Sequence, residues 1–236
     1  MPAAIVAGYW TSLRRAREAG LDTREFERAA QWAVAVGLVV SHMVEVVFYQ
    51  PQQLATRGWL TLFAFWEGLS SYGGFFGAAA ALLVFYRGKS WWKEADCLAE
   101  GLMVGWIFGR FGCAVAGDHF GSRLDAWFAY PYPDGGRHNL GLYEMIFTAL
   151  VIVPANLVLH RKRPPAGTVL AMDCLLYGGG RFALDFLRAT DRAGSDPRYL
   201  GLTLAHYCSL AIFVFGAVCA WLALTRRPPP RGEAVA

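Results

Sequence analysis

The chain reads as an all-α, polytopic transmembrane helix bundle with six full spans, a shortened first helix and a small extracytoplasmic loop region. Three observations predict this. Hydrophobic residues make up 56% of the 236 residues and charged residues only 17%, whereas a soluble domain carries about 25% charged residues. Apolar segments of about 20 residues, the length a helix needs to cross a bilayer, recur along the chain. Basic residues gather at alternate ends of those segments. The composition excludes intrinsic disorder, a collagen-like fibre and a disulfide scaffold. No basic and aromatic face suited to nucleic acid is present.

The elements follow in order. Ala3–Trp10 is apolar but too short to span, and it lacks the basic lead and small-residue cleavage site of a signal peptide. It reads as the end of a first helix. The expected spans are Ala29–Tyr49, Leu69–Tyr86, Ala95–Ala116, Leu140–His160, Val169–Leu187 and Leu200–Leu224. Arg14, Arg15, Arg17, Arg24 and Arg28 follow the first stub. Arg87, Lys89 and Lys93 follow the second full span; Arg161, Lys162 and Arg163 follow the fourth, and Arg226, Arg227 and Arg231 the last. The positive-inside rule makes those ends cytoplasmic, the C-terminus included. Residues 1–225 are then one transmembrane domain, and 226–236, with three consecutive prolines, a disordered cytoplasmic tail. The connection 117–139 is the outer loop region, where Trp127, Phe128, Tyr130 and Tyr132 suit the headgroup level and Pro131 to Gly136 is turn chemistry. All five cysteines fall in apolar segments without a CxxC. With no ligand-spaced histidines, neither a zinc site nor any other metal or cofactor is expected.

Ionisable residues at membrane depth are costly and mark function. Arg110 lies in Gly109-Arg-Phe-Gly-Cys-Ala-Val-Ala-Gly-Asp-His-Phe-Gly121, and Arg181 in Tyr177-Gly-Gly-Gly-Arg-Phe-Ala-Leu-Asp185. Both fall in the outer half of the bilayer. The planar guanidinium fork matches a phosphate bidentately, so a phospholipid headgroup is the expected partner. The competing reading is simple ion pairing: Arg181 with Asp185, and Arg110 with Asp118 or Glu144. Gly101, Gly105, Gly109, Cys113, Gly117 and Gly121 form a small-residue stripe. It suits close helix packing at Gly101 and Gly105 and approach of a headgroup nearer Arg110. Gly73 and Gly74 form a second such cluster. His42 and Glu45, three residues apart, read as a buried hydrogen-bonded pair or a relay pair.

In this order the motifs resemble the prolipoprotein diacylglyceryl transferase family. Ser71-Tyr-Gly-Gly74 is similar to the family's Ser-Phe-His-Gly-Gly, and Gly109 to Gly121 to Gly-Arg-x-Gly-Asn-Phe-x-Asn-Gly-Glu-x-x-Gly. Arg137-His-Asn-Leu-Gly-Leu-Tyr-Glu144 resembles Arg-His-Pro-Ser-Gln-Leu-Tyr-Glu, and Tyr177 to Asp191 resembles Tyr-Gly-x-x-Arg-Phe-x-x-Glu-Phe-x-Arg-x-x-Asp. The resemblance implies seven transmembrane helices and transfer of the diacylglyceryl group of phosphatidylglycerol to the lipobox cysteine of a prolipoprotein, with release of glycerol phosphate. By the same resemblance, Arg110, Arg181 and Asp118 are catalytic candidates and Tyr72 stands at the place of the family's proposed base; His119 and His138 join them as catalytic candidates from their own chemistry. Gly73, Gly74, Gly112, Cys113, Gly117, Gly121, Tyr143, Glu144, Tyr177, Asp185 and Arg188 are the substrate-binding candidates. The chain departs from the family at Tyr72, where the family has a histidine proposed as base, at Cys113 for asparagine, at Asn139-Leu-Gly141 for Pro-Ser-Gln, and at Asp118 and Asp185 for glutamate. With Tyr72 in that place, His119 and His138 are the expected bases for the acceptor thiol. A paralogue with another acceptor and a non-catalytic phospholipid-binding protein remain as alternatives. A transporter is disfavoured, because no inverted repeat is visible.

Overall fold

The computed structural model describes residues 2–66, 68–192 and 195–225, and among them a helical bundle carries a small sheet at one end. α1 (Pro2–Glu18) extends the expected stub through the arginines to Glu18. α2 (Thr23–Val44) begins at Asp22, whose carboxylate accepts the Arg24 and Glu25 amides. It widens into a π-turn at Glu45–Tyr49. α3 (Pro51–Arg57) and a 3-10 turn, Gly58–Phe63, return across its end. His42 and Glu45 do not pair there. The buried His42 ring meets the Gly68 and Thr61 carbonyls at 3.1 and 3.0 Å, while Glu45 accepts from Gln50. The imidazole lies between two backbone carbonyls, donates its N–H to one of them, and does not bond Glu45.

α4 (Ser71–Phe85) has only 15 residues. It is shorter than the expected span because Ser70 serves as its cap and is tied to Ser41 of α2 through N–H and C=O bonds of 3.2 and 2.6 Å. α5 (Trp92–Ala116) lies against α1: a Cβ at Gly101 would fall 2.5 Å from the Gly8 carbonyl, and one at Gly105 2.6 Å from that of Ala4. The small-residue stripe is thus a packing seam at these two positions. α6 (Leu140–Phe147), a π-segment (Thr148–Ile152) and α7 (Val153–Arg161) form one continuous rod. Pro154 explains the wide turn, since it has no N–H and its ring crowds the preceding carbonyls. α8 (Thr168–Asp185) is capped by Asp96 of α5, which accepts the Gly167 and Leu170 amides at 2.7 and 2.8 Å. α9 (Leu204–Thr225) packs along α8. It starts four residues later than expected, because Leu200 and Gly201 take positive φ (51° and 82°) and turn β4 (Arg198–Tyr199) into β5 (Leu202–Thr203).

Among the described residues, four helical segments are long and apolar enough to cross a membrane: Thr23–Tyr49, Trp92–Ala116, Leu140–Arg161 and Leu204–Thr225. α4 is apolar but shorter, and α8 buries three ionisable residues, Asp173, Arg181 and Asp185. The bundle is polar within and apolar without. Glu144 and His206 are 1% and 0% exposed, whereas Val84, Leu150 and Trp221 are 74%, 71% and 64% exposed. Water would not favour that distribution, and a hydrocarbon surround does. The proposed tail 226–236, with Arg226, Arg227 and Arg231, lies outside the described residues.

The expected outer loop is a three-stranded antiparallel sheet in order β1-β3-β2: β1 (Phe120–Arg123), β2 (Tyr130–Tyr132) and β3 (Gly135–Asn139). Pro133 and Asp134 make the two-residue turn between Tyr132 and Gly135. Arg137, fully buried, is its centre. It bonds Asp134 and Asp191 at 2.7 Å each and the Gly121 carbonyl at 3.2 Å. Those bonds, with the attraction between the charges, hold both carboxyls below the usual carboxylate range and raise the guanidinium. Backbone bonds from Ser122 N to Leu187 O (2.7 Å) and from Ala189 N to Phe120 O (3.2 Å) seat β1 on the end of α8.

Candidate active site

α5, α6 and α8 meet beneath the sheet, and each contributes one charged side chain to the same point. Arg110 on α5 and Arg181 on α8 are 5% and 3% exposed. Glu144 on α6 stands between them, with Oε2 at 2.9 Å from Arg110 Nε and Oε1 at 3.3 Å from Arg181 Nε. Arg181 Nη2 also reaches Asp185 Oδ1 at 2.9 Å, one helical turn away. Asp185 is itself shared: Arg188 Nε lies 2.8 Å from the same oxygen, and Arg188 continues to Asp196 at 3.0 Å. Two carboxylates, Glu144 and Asp185, therefore serve three guanidiniums.

The pairing is close in distance but incomplete in hydrogen bonding. Arg110 Nε, Arg181 Nε and Arg181 Nη1 are buried and find no hydrogen-bond acceptor among the described residues, and neither does Glu144 Oε1 find a donor. The Nε groups sit beside Glu144 but off the hydrogen-bond direction. Unsatisfied charged donors are costly inside a bundle, roughly 1–3 kcal/mol or more each. An anionic oxygen placed between the arginines would satisfy them.

Aromatic rings form the floor. Arg110 lies over Trp106, 4.5 Å from the ring centroid. Trp106 packs against Phe75 and Tyr177 at 5.0 and 5.6 Å. The Tyr177 hydroxyl donates to Glu144 Oε2 at 3.4 Å. At the mouth, Arg110 Nη1 is 2.8 Å from His119 Nε2, and His119 Nδ1 is 2.5 Å from Asp118 Oδ1. A guanidinium can only donate, so Nε2 accepts and Nδ1 carries the proton toward Asp118. Burial pushes the Asp118 carboxyl up. The hydrogen bond and attraction from His119, a backbone hydrogen bond and the Arg110 charge together outweigh it and leave the group below its ordinary range. Asp118 reaches Arg110 only through His119, while Asp185 touches Arg181 directly.

Arg110, Glu144, Tyr177, Arg181, Asp185, Arg188, Asp118 and His119 thus join in one network. The other sequence-derived candidates lie around it. The Tyr72 hydroxyl is 3.1 Å from the Ala205 carbonyl and 3.0 Å from Ser209 Oγ, so it ties α4 to α9. His138 Nδ1 meets the Tyr143 hydroxyl at 2.9 Å. A Cβ at Gly73 would approach Ser41 Cα and the Val40 carbonyl to 2.8 Å, and one at Gly121 would come within 2.4 Å of His138 Cβ and 3.0 Å of the Leu187 carbonyl. Both glycines sit in close backbone packing. Gly74 contacts Ser41 loosely, Gly112 faces open space, and Gly117 takes φ +63° to end α5. Cys113, Asp118 and His119 bring their ligand atoms within 4.8 Å of one another across that turn, although no zinc spacing was visible in the sequence.

Several participants were not singled out from the sequence. Thr203 Oγ1 makes a very short bond to Asp185. His206, fully buried, lies 3.2 Å from Asp185 Oδ2 and 2.9 Å from Thr203 Oγ1. The signal was present, because a histidine in the first turn of an apolar helix is itself an ionisable residue at membrane depth. Trp106 carried no signal, being one aromatic among many.

The chain is 27% identical over 98% of its length to the phosphatidylglycerol–prolipoprotein diacylglyceryl transferase of Nitratidesulfovibrio vulgaris (strain Miyazaki F), of which 88% is covered. It is 32% identical over 83% of its length to the protein of the same name from Solidesulfovibrio magneticus, covering 76% of it. With the Nitrosomonas europaea protein of that name it shares 30% identity over 84% of its length and 73% of the relative's. The family model described as prolipoprotein diacylglyceryl transferase matches residues 1–222, and with paired arginines gathered on one glutamate inside a membrane bundle, the chain belongs to that family of transferases.

Proposed function

We propose that this protein moves the diacylglyceryl group of phosphatidylglycerol onto the lipobox cysteine thiol of a prolipoprotein, releasing glycerol phosphate. The observation that carries the reading is the set of buried guanidinium N–H groups without acceptors at Arg110 and Arg181. They match the phosphodiester oxygens of the donor lipid and the charge that grows on the phosphate as the glyceryl carbon–oxygen bond breaks. The attacking thiol forms the new carbon–sulfur bond and must lose its proton. His119 is the base this geometry favours over His138, since Asp118 orients its ring. Once Arg110 turns to the phosphate, Nε2 is free to accept. Asp185 and Glu144 hold the arginines in place, and Tyr177 holds Glu144. Gly112 and Gly74, which face open or loosely packed space, leave room for a headgroup. The arginine-bearing end faces outward in the bacterial inner membrane, with the C-terminus cytoplasmic.

The test is mass spectrometry of a lipobox peptide incubated with phosphatidylglycerol and either the protein or its Arg110→Ala and Arg181→Ala variants. A peptide gaining the diacylglyceryl mass with the parent protein and not with the variants supports the reading. Turnover retained in both variants overturns the clamp. Glycerol phosphate release without peptide lipidation identifies a different acceptor, and lipid binding without release a non-catalytic protein.

A further inference from the structure

We propose that Cys113, Asp118 and His119 form a binding site for one borderline-soft divalent cation of the zinc type. Their three ligand atoms, one sulfur, one oxygen and one nitrogen, lie within 4.8 Å of one another. Ligands around one zinc ion at about 2.0–2.3 Å stand roughly 3.3–3.8 Å apart. The widest pair therefore closes by about 1 Å, while the 2.5 Å hydrogen bond between Asp118 and His119 opens to admit the cation. Asp118 is the half-exposed member and rotates once that bond is released. Local structure brings the three together. Cys113 ends the last turns of α5, Gly117 reverses the backbone in the left-handed region, and Asp118 and His119 come back beside the thiol.

The donor set selects the metal. A thiolate and an imidazole favour zinc or cobalt(II) over magnesium or calcium, which take oxygen ligands. Thiolate and carboxylate together neutralise a dication, so the nearby Arg110 guanidinium meets no net added charge. Three protein ligands leave a fourth position for water, which the part-exposed His119 and Asp118 side chains can admit.

Arg110 sets the terms of binding. Neutral imidazole has one lone pair, and in this structure Arg110 Nη1 takes it at His119 Nε2. A metal on either ring nitrogen needs the same lone pair. Loading therefore breaks the Arg110–His119 bond, frees Arg110 Nη1 and withdraws His119 from proton transfer. Binding itself needs no lipid or peptide, so the proposal stands apart from the transferase reading.

The experiment uses the purified full-length chain in detergent, stripped with chelator and titrated with cobalt(II), then with zinc in competition. One equivalent per chain is expected, with the sulfur-to-cobalt charge-transfer absorption of a bound thiolate, bleached by zinc. Cys113→Ser removes that absorption although Cys97, Cys174, Cys208 and Cys219 remain. His119→Ala weakens binding by more than about 100-fold, since even outer hydrogen-bond partners of metal ligands are worth about 10–100-fold. Thermal unfolding of the metal-free variants checks that both remain folded. An absorption that survives Cys113→Ser, or a folded parent chain that takes up no cobalt, overturns the proposal.

Discussion

Arg110 and Arg181 close on opposite oxygens of a single carboxylate, Glu144, at 2.9 and 3.3 Å. The two guanidiniums repel one another at that range, and the shared anion between them offsets the repulsion. The arrangement is a clamp with its jaws propped by a protein carboxylate. Asp185 props the second jaw from behind, with Arg188, Thr203 and His206 around it. Ion pairing, the competing reading of the arginines, is thus present in the structure. The buried N–H groups left without acceptors are what support the proposed anion binding.

Glu144→Gln leaves two buried guanidiniums without their common anion. Breaking a buried pair in this way costs about 3–5 kcal/mol. The variant is expected to melt at lower temperature than the parent. Added phosphate or glycerol phosphate should restore more of its melting temperature than it adds to the parent, because an external anion then supplies the missing negative charge beside the two guanidiniums. Equal shifts in both proteins would count against anion binding between the arginines.

Arg181→Lys keeps the charge and loses the fork. Lysine is a point donor on a flexible stem, so it can pair with Asp185 but cannot also span to a phosphate oxygen. Peptide lipidation is expected to fall by about 10²-fold, the scale of one lost donor to a developing anion, with little change in melting temperature. Full activity in the lysine variant would show that bidentate geometry is unimportant.

Gly101→Leu should separate α1 from α5. A Cβ there already meets Ser12 Oγ at 1.9 Å and the Gly8 carbonyl at 2.5 Å. Overpacking of this kind costs about 1–3 kcal/mol. The check is protease sensitivity of the turn after Glu18 together with thermal unfolding, and an unchanged melting curve would mean that the seam can open freely.

The sheet should be acid-sensitive. Asp134 and Asp191 have carboxyls held down by hydrogen bonds from Arg137. Their folded values lie below the unfolded carboxylate range, so the contribution of the Arg137 clamp is complete above about pH 4. It is lost as pH falls through the lower, folded values. Amide exchange of Phe120–Asn139, corrected for its intrinsic pH dependence, should lose protection in that acid window and not between pH 5 and 8. Arg137→Met should abolish the step.

Much of the fold was legible because its signals are local. Runs of apolar residues and the α5 small-residue seam act within one or two helices, whereas the Asp22 cap was not singled out. The element ends were less so. Ser70 caps α4 only because Ser41 of another helix holds it, and Leu200-Gly201 was read as the start of a helix because it is apolar, whereas its positive φ angles make it a hairpin turn. The sheet at 117–139 was expected as a loop, because three short strands centred on a buried arginine carry no alternating pattern to read.

For the site, residue type carried the expectation that the proposed function builds on: arginine at membrane depth is costly, and its planar fork suits phosphate. Which carboxylate each arginine meets, and that Glu144 meets both, was decided only when three helices from distant parts of the chain packed together. Likewise Cys113, Asp118 and His119 are neighbours in sequence without metal-ligand spacing, and a left-handed turn at Gly117 is what makes them neighbours in space. The physical reason is the same in both cases. Side-chain character is a property of the residue, but electrostatic energy and coordination depend on distances of a few ångströms, which packing alone sets.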